Sequence, residues 1–236
     1  MGFPHTRALA AAAHRGRGLL RRVWPSLALR HRAPGCFQPY NYTLPDRYPW
    51  LFRFAAEELQ DSPRHRLLSF GCSQGDEVFS LRRYFPSAAI HGIDVDPRNI
   101  ERCRVRAGEA ALTGCTFAVG ASTSHEPAES YDAIFCLAVL CLGDLTVRHA
   151  RRSDPWLRFE DFERIVTDFA RCLKRGGLLL LHTCNFRFCD TAISRDFDTV
   201  LEVGIDQLAT DVLFDTRNRL MPGVRYRDVG FRKRMR

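Results

Sequence analysis

The sequence predicts an α/β fold, a single doubly wound Rossmann-like domain whose sheet is mostly parallel with an antiparallel C-terminal strand. Three observations carry this. Between residues 66 and 182, apolar strand-like runs alternate with helical periodicity. The run "LLLLHT" is apolar enough for a strand covered on both faces, as parallel sheets require. A glycine loop, "GCSQG" at 71–75, joins an apolar run to a helix, the kind of turn at which such sheets receive ligands.

The elements follow in order. Residues 1–34 read as a loosely ordered or helical arm, with "GLLRRVWPSLALRHR" alternating apolar and Arg positions. "CFQPYNYTLPDRYP" reads as an extended segment wrapped on the core. A helix begins at Asp46 or Tyr48-Pro49, because Pro suits the first helical turn. Strand 66–70 leads through the loop into a helix over 75–85, with Val78, Leu81 and Phe85 on one face. "AAIHGIDV" is the next strand. Asp96-Pro97, an N-cap acid before Pro, opens a helix that runs to Gly114. "CTFAVG" and "YDAIFCLAVL" are strands. Apolar residues at 159, 162, 165, 166, 169, 170 and 173 make a strongly amphipathic helix, which "RGG" ends before the apolar strand. Residues 198–236 read as a helix or loop followed by two strands, "DVLFD" and "YRDVGFRKR", joined by "TRNRLMPG". This gives a basic arm over 1–45 and one domain over 46–236.

Composition narrows the function. At 236 residues and 45% hydrophobic content the chain has material for an ordinary globular core. No window reaches the roughly 18 apolar residues of a membrane span. The net charge of +8 is uneven: residues 1–45 hold seven Arg and no acid, and 225–236 hold six basic residues against Asp228. The body between is mildly acidic, which argues against a nucleic-acid face on the core and leaves the basic ends to contact an acidic partner. Nine scattered cysteines without C-x-x-C, and no secretory signal, point to reduced thiols in a reducing compartment. No His or Cys spacing predicts a metal site. The bacterial cytoplasm is favoured over organellar import, because the Arg- and Ala-rich start is poor in Ser.

The glycine loop then asks for its ligand. Asp94 ends the strand after the loop, 23 residues beyond Gly71, where an acid accepts hydrogen bonds from ribose hydroxyls. Gly92 keeps side-chain bulk away from the crevice. Adenosine is therefore expected. Asp76 and Glu77 follow the loop at the helix start, where a dinucleotide would lay its pyrophosphate and be repelled. S-adenosylmethionine has no phosphate and carries an ammonium and a sulfonium, so it suits an acidic helix start.

The stretch 66–96 resembles motifs I and II of the class I S-adenosylmethionine-dependent methyltransferases. "FGCSQGDE" is similar to the loop of the chemotaxis-receptor methyltransferases. "YDAIFCLAVL" resembles motif IV, "LKRGGLLLLH" the segment leading into strand five, and "VGFRKR" the final strand. The resemblance covers about residues 50–236. It implies that Gly71, Cys72, Ser73 and Gly75 shape the methionine pocket, that Asp94 binds ribose and Val95 packs on adenine, and that Leu137 lies near the methyl. Departures are Ser69 where many relatives carry an acid, Ser73 in place of the middle glycine, and "VGAST" where an acid often binds the adenine amine, a place left to Ser122 or a backbone N–H. Leu137-Ala138 stands where the chemotaxis enzymes have R-N, and their helical N-terminal domain is missing.

The function expected is methyl transfer to an acceptor the sequence does not name, a small molecule being favoured. Candidate acceptor contacts are Tyr40, Tyr42, His182, Asn185 and Asp190. For each, a structural role competes: packing of the arm for the tyrosines, a satisfied core histidine, and a turn cap for Asn185. Arg148, Arg151 and Arg152 in "LGDLTVRHARRSDPWLR" hint at an anionic acceptor, against a solvated loop. Asp132 reads as a strand-start structural residue. No catalytic base is singled out. Two other readings stand beside this one: an enzyme for NAD or a nucleotide-sugar, and a non-catalytic binding module with the same fold.

Overall fold

Pro49 opens the first helix among the described residues of the computed structural model, α1 (Pro49–Leu59), whose Leu51, Phe52 and Ala55 are fully buried. The structure describes residues 37, 39–209 and 212–235. The amphipathic stretch expected within 1–34 lies outside them.

Apolar runs and glycine turns then place the remaining elements close to expectation. β1 (Arg66–Phe70) leads through the glycine loop to α2 (Asp76–Tyr84), and β2 (Ala89–Asp94) to α3 (Pro97–Glu109). Asp96 caps α3 by accepting the Arg98 N–H at 2.9 Å, with Pro97 in the first turn. α3 stops at Glu109, short of Gly114, because Ala111 turns into the left-handed region. β3 (Cys115–Val119), β4 (Tyr131–Leu137), a short α4 (Gly143–Val147), α5 (Phe159–Cys172) and β5 (Leu173–His182) follow, and the sheet closes with β6 (Phe197–Glu202) and β7 (Asp228–Lys233).

Two expectations fail at the C-terminal end. The first of the last two strands is Phe197–Glu202, not "DVLFD". Leu213 and Phe214 bury themselves against the Phe186 ring instead, and the segment makes a single bridge, Phe214 to Leu220. The "RGG" expected to end α5 lies inside β5. Gly176 there has φ 75°, and the pairing with β4 shifts register between Tyr131 and Ala133, as a bulge permits.

The strand order is β3-β2-β1-β4-β5-β7-β6. β1 to β5 pair in parallel, and β7 runs antiparallel to both β5 and β6. The chain walks outward from β1 to β3 and returns to β4 on the other side of β1. That reversal opens a crevice at the carboxyl ends of β1 and β4. Period-2 alternation sorts the core. Leu67, Ala133, Phe135, Leu178 and Leu180 pack with α1, α2 and α3 on one face. On the other face Phe70 meets Phe169 of α5 at 4.9 Å between ring centroids.

Basic C-terminal residues are largely tied into the sheet. Lys233 Nζ donates to the carbonyls of Ala170 and Leu173, Arg232 to that of Gly176, Arg227 to that of Val203, and Arg234 pairs with Asp198. Asp132 accepts the Arg66 N–H and pairs with Lys174 at 2.8 Å, the structural role its position suggested. Among the described residues no helix is long and apolar enough to cross a membrane.

Phe135 lies in the central strand and is fully buried beside Phe52. Phe135→Ala is expected to lower the unfolding free energy by about 3–5 kcal/mol, read from equilibrium urea denaturation with an unchanged m-value. A loss below about 1 kcal/mol would contradict this packing.

Candidate functional site

The loop after β1 is folded back on its own protein. The N–H groups of Gly71 and Cys72 donate to the Ile93 carbonyl at 2.7 and 3.0 Å, and that of Gly75 to the Cys72 carbonyl at 2.9 Å. The Ser73 N–H donates to Asp94 Oδ2 at 2.8 Å. Four of the five loop amides therefore have internal partners. A phosphate cradle works the other way, with such groups pointing at the ligand. Gly71 has φ 73°, and a Cβ built on it would lie 2.4 Å from Val139 Cγ2, so both conformation and space demand glycine.

The cavity beside this loop sits at the crevice of the strand reversal. Its wall includes Gly71, Cys72 and Ser73 after β1, Asp94 and Val95 at the end of β2, Gly120 and Ala121 after β3, and Leu137 to Val139 at the end of β4. Of the residues expected to bind the cofactor, Gly71, Cys72, Ser73, Asp94, Val95 and Leu137 line it. Gly75 and Ser122 do not. Gly75 caps α2 and packs under Phe79 and Cys103, and Ser122 Oγ bonds Ser124 Oγ at 2.9 Å.

Asp94 is buried and its carboxylate is held from three sides. Besides Ser73, the Asp96 N–H and the Asn99 side-chain amide donate to Oδ1 at 2.9 and 3.0 Å. Ser73 Oγ, in contrast, is buried with no hydrogen-bond partner among the described residues. A buried hydroxyl left unpaired is costly, so one at a cavity wall calls for a polar ligand atom. Cys103 Sγ donates to the Ser73 carbonyl at 3.2 Å. The neighbouring Cys103 and burial push the Cys72 thiol up, and Cys72 pulls the Cys103 thiol down.

The two acids at the start of α2 part company. Asp76 turns away to pair with Arg106 at 2.8 Å. Glu77 lines the cavity, where Ser69 Oγ donates to its Oε1 at 2.7 Å. Burial pushes the Glu77 pKa from 4.5 up to about 7, opposed by the Ser69 hydrogen bond and the Arg47 charge. The sequence showed two consecutive acids but not which one faces inward, so Glu77 was not among the expected site residues.

The segment 39–48 roofs the cavity. Tyr40 and Tyr42 both line it, and the Tyr40 hydroxyl donates to Asp144 at 3.0 Å. Asn41 and Asn99 exchange amide hydrogen bonds at 3.3 and 3.1 Å, and the Asp46 N–H donates to Ser80 Oγ. With the roof in this position the space beneath it is about 90 Å³. Other candidates fall elsewhere. Asn185 is fully buried, accepting from the Leu142 N–H and donating to the Val212 carbonyl, and Asp190 pairs with Arg187. His182 lines a second cavity next door. Arg152 pairs with Asp154 and Arg148 lies over the Trp156 ring. None of Arg148, Arg151 and Arg152 lines either cavity. Among the described residues no group of three or more His, Cys, Asp or Glu is gathered to hold a metal ion.

Gly71→Ala is expected to cost about 1–2 kcal/mol from the left-handed backbone alone, plus the collision with Val139. Adding Val139→Ala should relieve only the collision, so a double-mutant cycle by thermal unfolding should show coupling between the two sites. Additive losses would remove the steric part of this account.

Comparison with known proteins agrees with the geometry. Residues 61–212 match the model of a methyltransferase domain. Among solved structures, the chain is similar to YcgJ from Bacillus subtilis, with 22% identity over 56% of this chain and 48% of that one and a TM-score of 0.44. It is similar to geranyl diphosphate C-methyltransferase from Streptomyces coelicolor A3(2), with 16% identity over 58% and 47% and a TM-score of 0.44. The cyclase SpnF shares 23% identity over 57% and 44%, with a TM-score of 0.45. The chain spans about half the length of these structures. The family match takes in more than half of the chain, and the chain belongs to the methyltransferase-domain family, as its resemblance to the class I S-adenosylmethionine-dependent enzymes implies.

Proposed function

We propose that this protein transfers a methyl group from S-adenosylmethionine to a small-molecule acceptor. The observation that carries the reading is the pairing of an inward-bonded glycine loop with a buried carboxylate, Glu77, at the cavity wall. The loop has few amides left for a phosphate, and the carboxylate favours a cation. Both features count against NAD or a nucleotide-sugar.

The residues present suit such a donor. Ser73 Oγ lacks a partner, Glu77 offers a carboxylate to an ammonium, and Asp94 keeps acceptor lone pairs for ribose hydroxyls beyond its three internal bonds. Glu77 supplies from the first turn of α2 the charge that Ser69 lacks at the strand end, and the Ser69 hydroxyl orients it. Val95 is placed to pack on an adenine, and Leu137 lines the wall toward the next strand. When bound, S-adenosylmethionine supplies an electrophilic methyl on a good leaving group. The protein's part is then chiefly to hold an acceptor atom in line with it and to exclude water. Because the roof leaves about 90 Å³, segment 39–48 must move outward to admit a nucleoside.

Calorimetric titration with S-adenosylhomocysteine tests this. Micromolar binding is expected, weakened by about tenfold or more in Asp94→Ala, since hydrogen bonds to a charged group contribute about 1.5–3 kcal/mol. No binding to the folded wild-type chain, or tighter binding of NAD, would sink the proposal.

The pH dependence follows from Glu77. In the unliganded chain the folded state keeps a proton that the unfolded state sheds, so stability falls as pH rises from about 4.5 to about 7. An ammonium ligand favours the ionised carboxylate. S-adenosylhomocysteine should therefore bind more tightly as pH rises through 7, with proton release visible as a buffer-dependent binding enthalpy. Glu77→Gln should flatten both profiles. A pH-independent affinity in the wild type would remove Glu77 from the ammonium site.

A further inference from the structure

A second cavity of about 480 Å³ opens where β5 ends, between that strand end and residues of the 203–209 and 212–229 stretches. We propose that it is the acceptor site and takes an uncharged, largely apolar small molecule, with the group to be methylated at the His182–Thr183 end. This rests on the cofactor reading above.

Size and lining set the class of occupant. The volume falls within the roughly 300–1,000 Å³ typical of small-molecule sites. Fifteen of the twenty-one lining residues are aliphatic, aromatic, Met or Pro, among them Phe162, Leu181, Phe186 and Leu208. Arg225 and Asp228 are the charged residues of the lining, of opposite sign, so the cavity has no net charge to recruit an ion. The Arg cluster that hinted at an anionic acceptor lies elsewhere.

Position assigns the role. The two cavities share a wall built by neighbouring strand ends. Leu137 of β4, in the first cavity, is in register with His182 of β5, in the second, and the Ala138 N–H donates to the His182 carbonyl at 2.8 Å. Tyr48 lines the first cavity, and its ring stands edge-on to His182 at 4.9 Å between centroids. Two polar side chains of the second cavity, His182 and Thr183, stand at this wall. His182 Nε2 donates to the Gln207 carbonyl at 3.0 Å, which leaves Nδ1 to accept the Thr183 hydroxyl at 2.8 Å. Thr183 itself sits in the left-handed region at φ 57°, an unfavourable place for a β-branched residue, just past the strand end. Such strain persists where the surroundings fix a side chain for use. An apolar molecule in this cavity would present its polar end to the wall that faces the cofactor site.

The test uses the full chain with 2-naphthol as a neutral probe and 2-naphthoate as its anionic counterpart, followed by ligand-observed NMR and calorimetry. Leu208→Trp narrows the cavity from inside. Val224→Trp narrows it from the rim, where the residue is 38% exposed and the core is left alone. Saturable one-site binding of 2-naphthol is expected, with and without saturating S-adenosylhomocysteine, and weakened at least tenfold by each substitution. 2-Naphthoate should bind at least tenfold more weakly than 2-naphthol. S-adenosylhomocysteine affinity in both variants should stay within twofold of wild type. The proposal is overturned if 2-naphthol fails to saturate, if both variants bind it as wild type does, if the naphthoate binds as well, or if S-adenosylhomocysteine displaces it. Failure of the wild-type chain to bind S-adenosylhomocysteine is read in its own titration. That result removes the cofactor reading and the acceptor assignment together, whereas loss of the naphthol result alone removes only the assignment.

Discussion

The hydrogen bonds that converge on Asp94 hold the site together. One carboxylate fastens the Ser73 amide of the glycine loop, the Asp96 amide at the start of α3 and the Asn99 side chain within that helix. The glycine loop, 21 residues away in sequence, and the first turn of α3 are thereby fixed to the end of β2. Hydrogen bonds to a charged acceptor are the strong ones, and in a buried setting each constrains geometry more than it adds stability. The roof joins the same network, because Asn41 bonds Asn99, which bonds Asp94. The position of the covering segment is thus coupled to the carboxylate at the end of β2.

A second constraint follows from where the negative charge sits. A strand-end carboxylate at residue 69 would lie fully buried in the sheet, with strands on both sides. Ser69 is neutral there and lends its hydroxyl to Glu77, which reaches the cavity from α2. The helix start also tolerates an anion better than the sheet interior does, through its dipole. Burial still raises the Glu77 pKa to about 7, so its charge is available at neutral pH without being permanent. A cation arriving in the cavity completes the ionisation that the protein alone leaves half made.

Local signals made much of this legible in the sequence. Asp96-Pro97 marked the start of α3, and the spacing of apolar residues marked α5, because capping and periodicity are decided within a few residues. The distance of Asp94 from the glycine loop is legible for a similar reason, since the strand-helix-strand unit fixes that spacing. β6 escaped because it borders the sheet through β7 alone. Its "FDTVLE" is mostly half-exposed or exposed, so no apolar run announces it, while the more apolar "DVLFD" packs its Leu213 and Phe214 without forming a strand. Glu77 escaped for a different reason. Consecutive helical residues point about 100° apart, and only the packing of α2 on the sheet decides whether Asp76 or Glu77 turns inward. Gly75, in the same loop, caps α2 and packs under Phe79, a role set by neighbours that a loop pattern does not reveal.

Backbone strain connects the two cavities. Ser73, Ala138 and Thr183 all adopt positive φ, at 49°, 58° and 57°, and each is a cavity-lining residue just past β1, β4 or β5. Each such placement costs about 1–2 kcal/mol for a residue with a Cβ. Glycine at these positions would relieve the strain but remove the side chains that close the cavities. The strands themselves are buried on both faces and paired on both sides through β1, β4 and β5, so they can hold their ends in unfavourable turns. The same rigid centre therefore shapes the crevice: it fixes the Ser73 hydroxyl on one side of the β4 end and the Thr183 hydroxyl on the other.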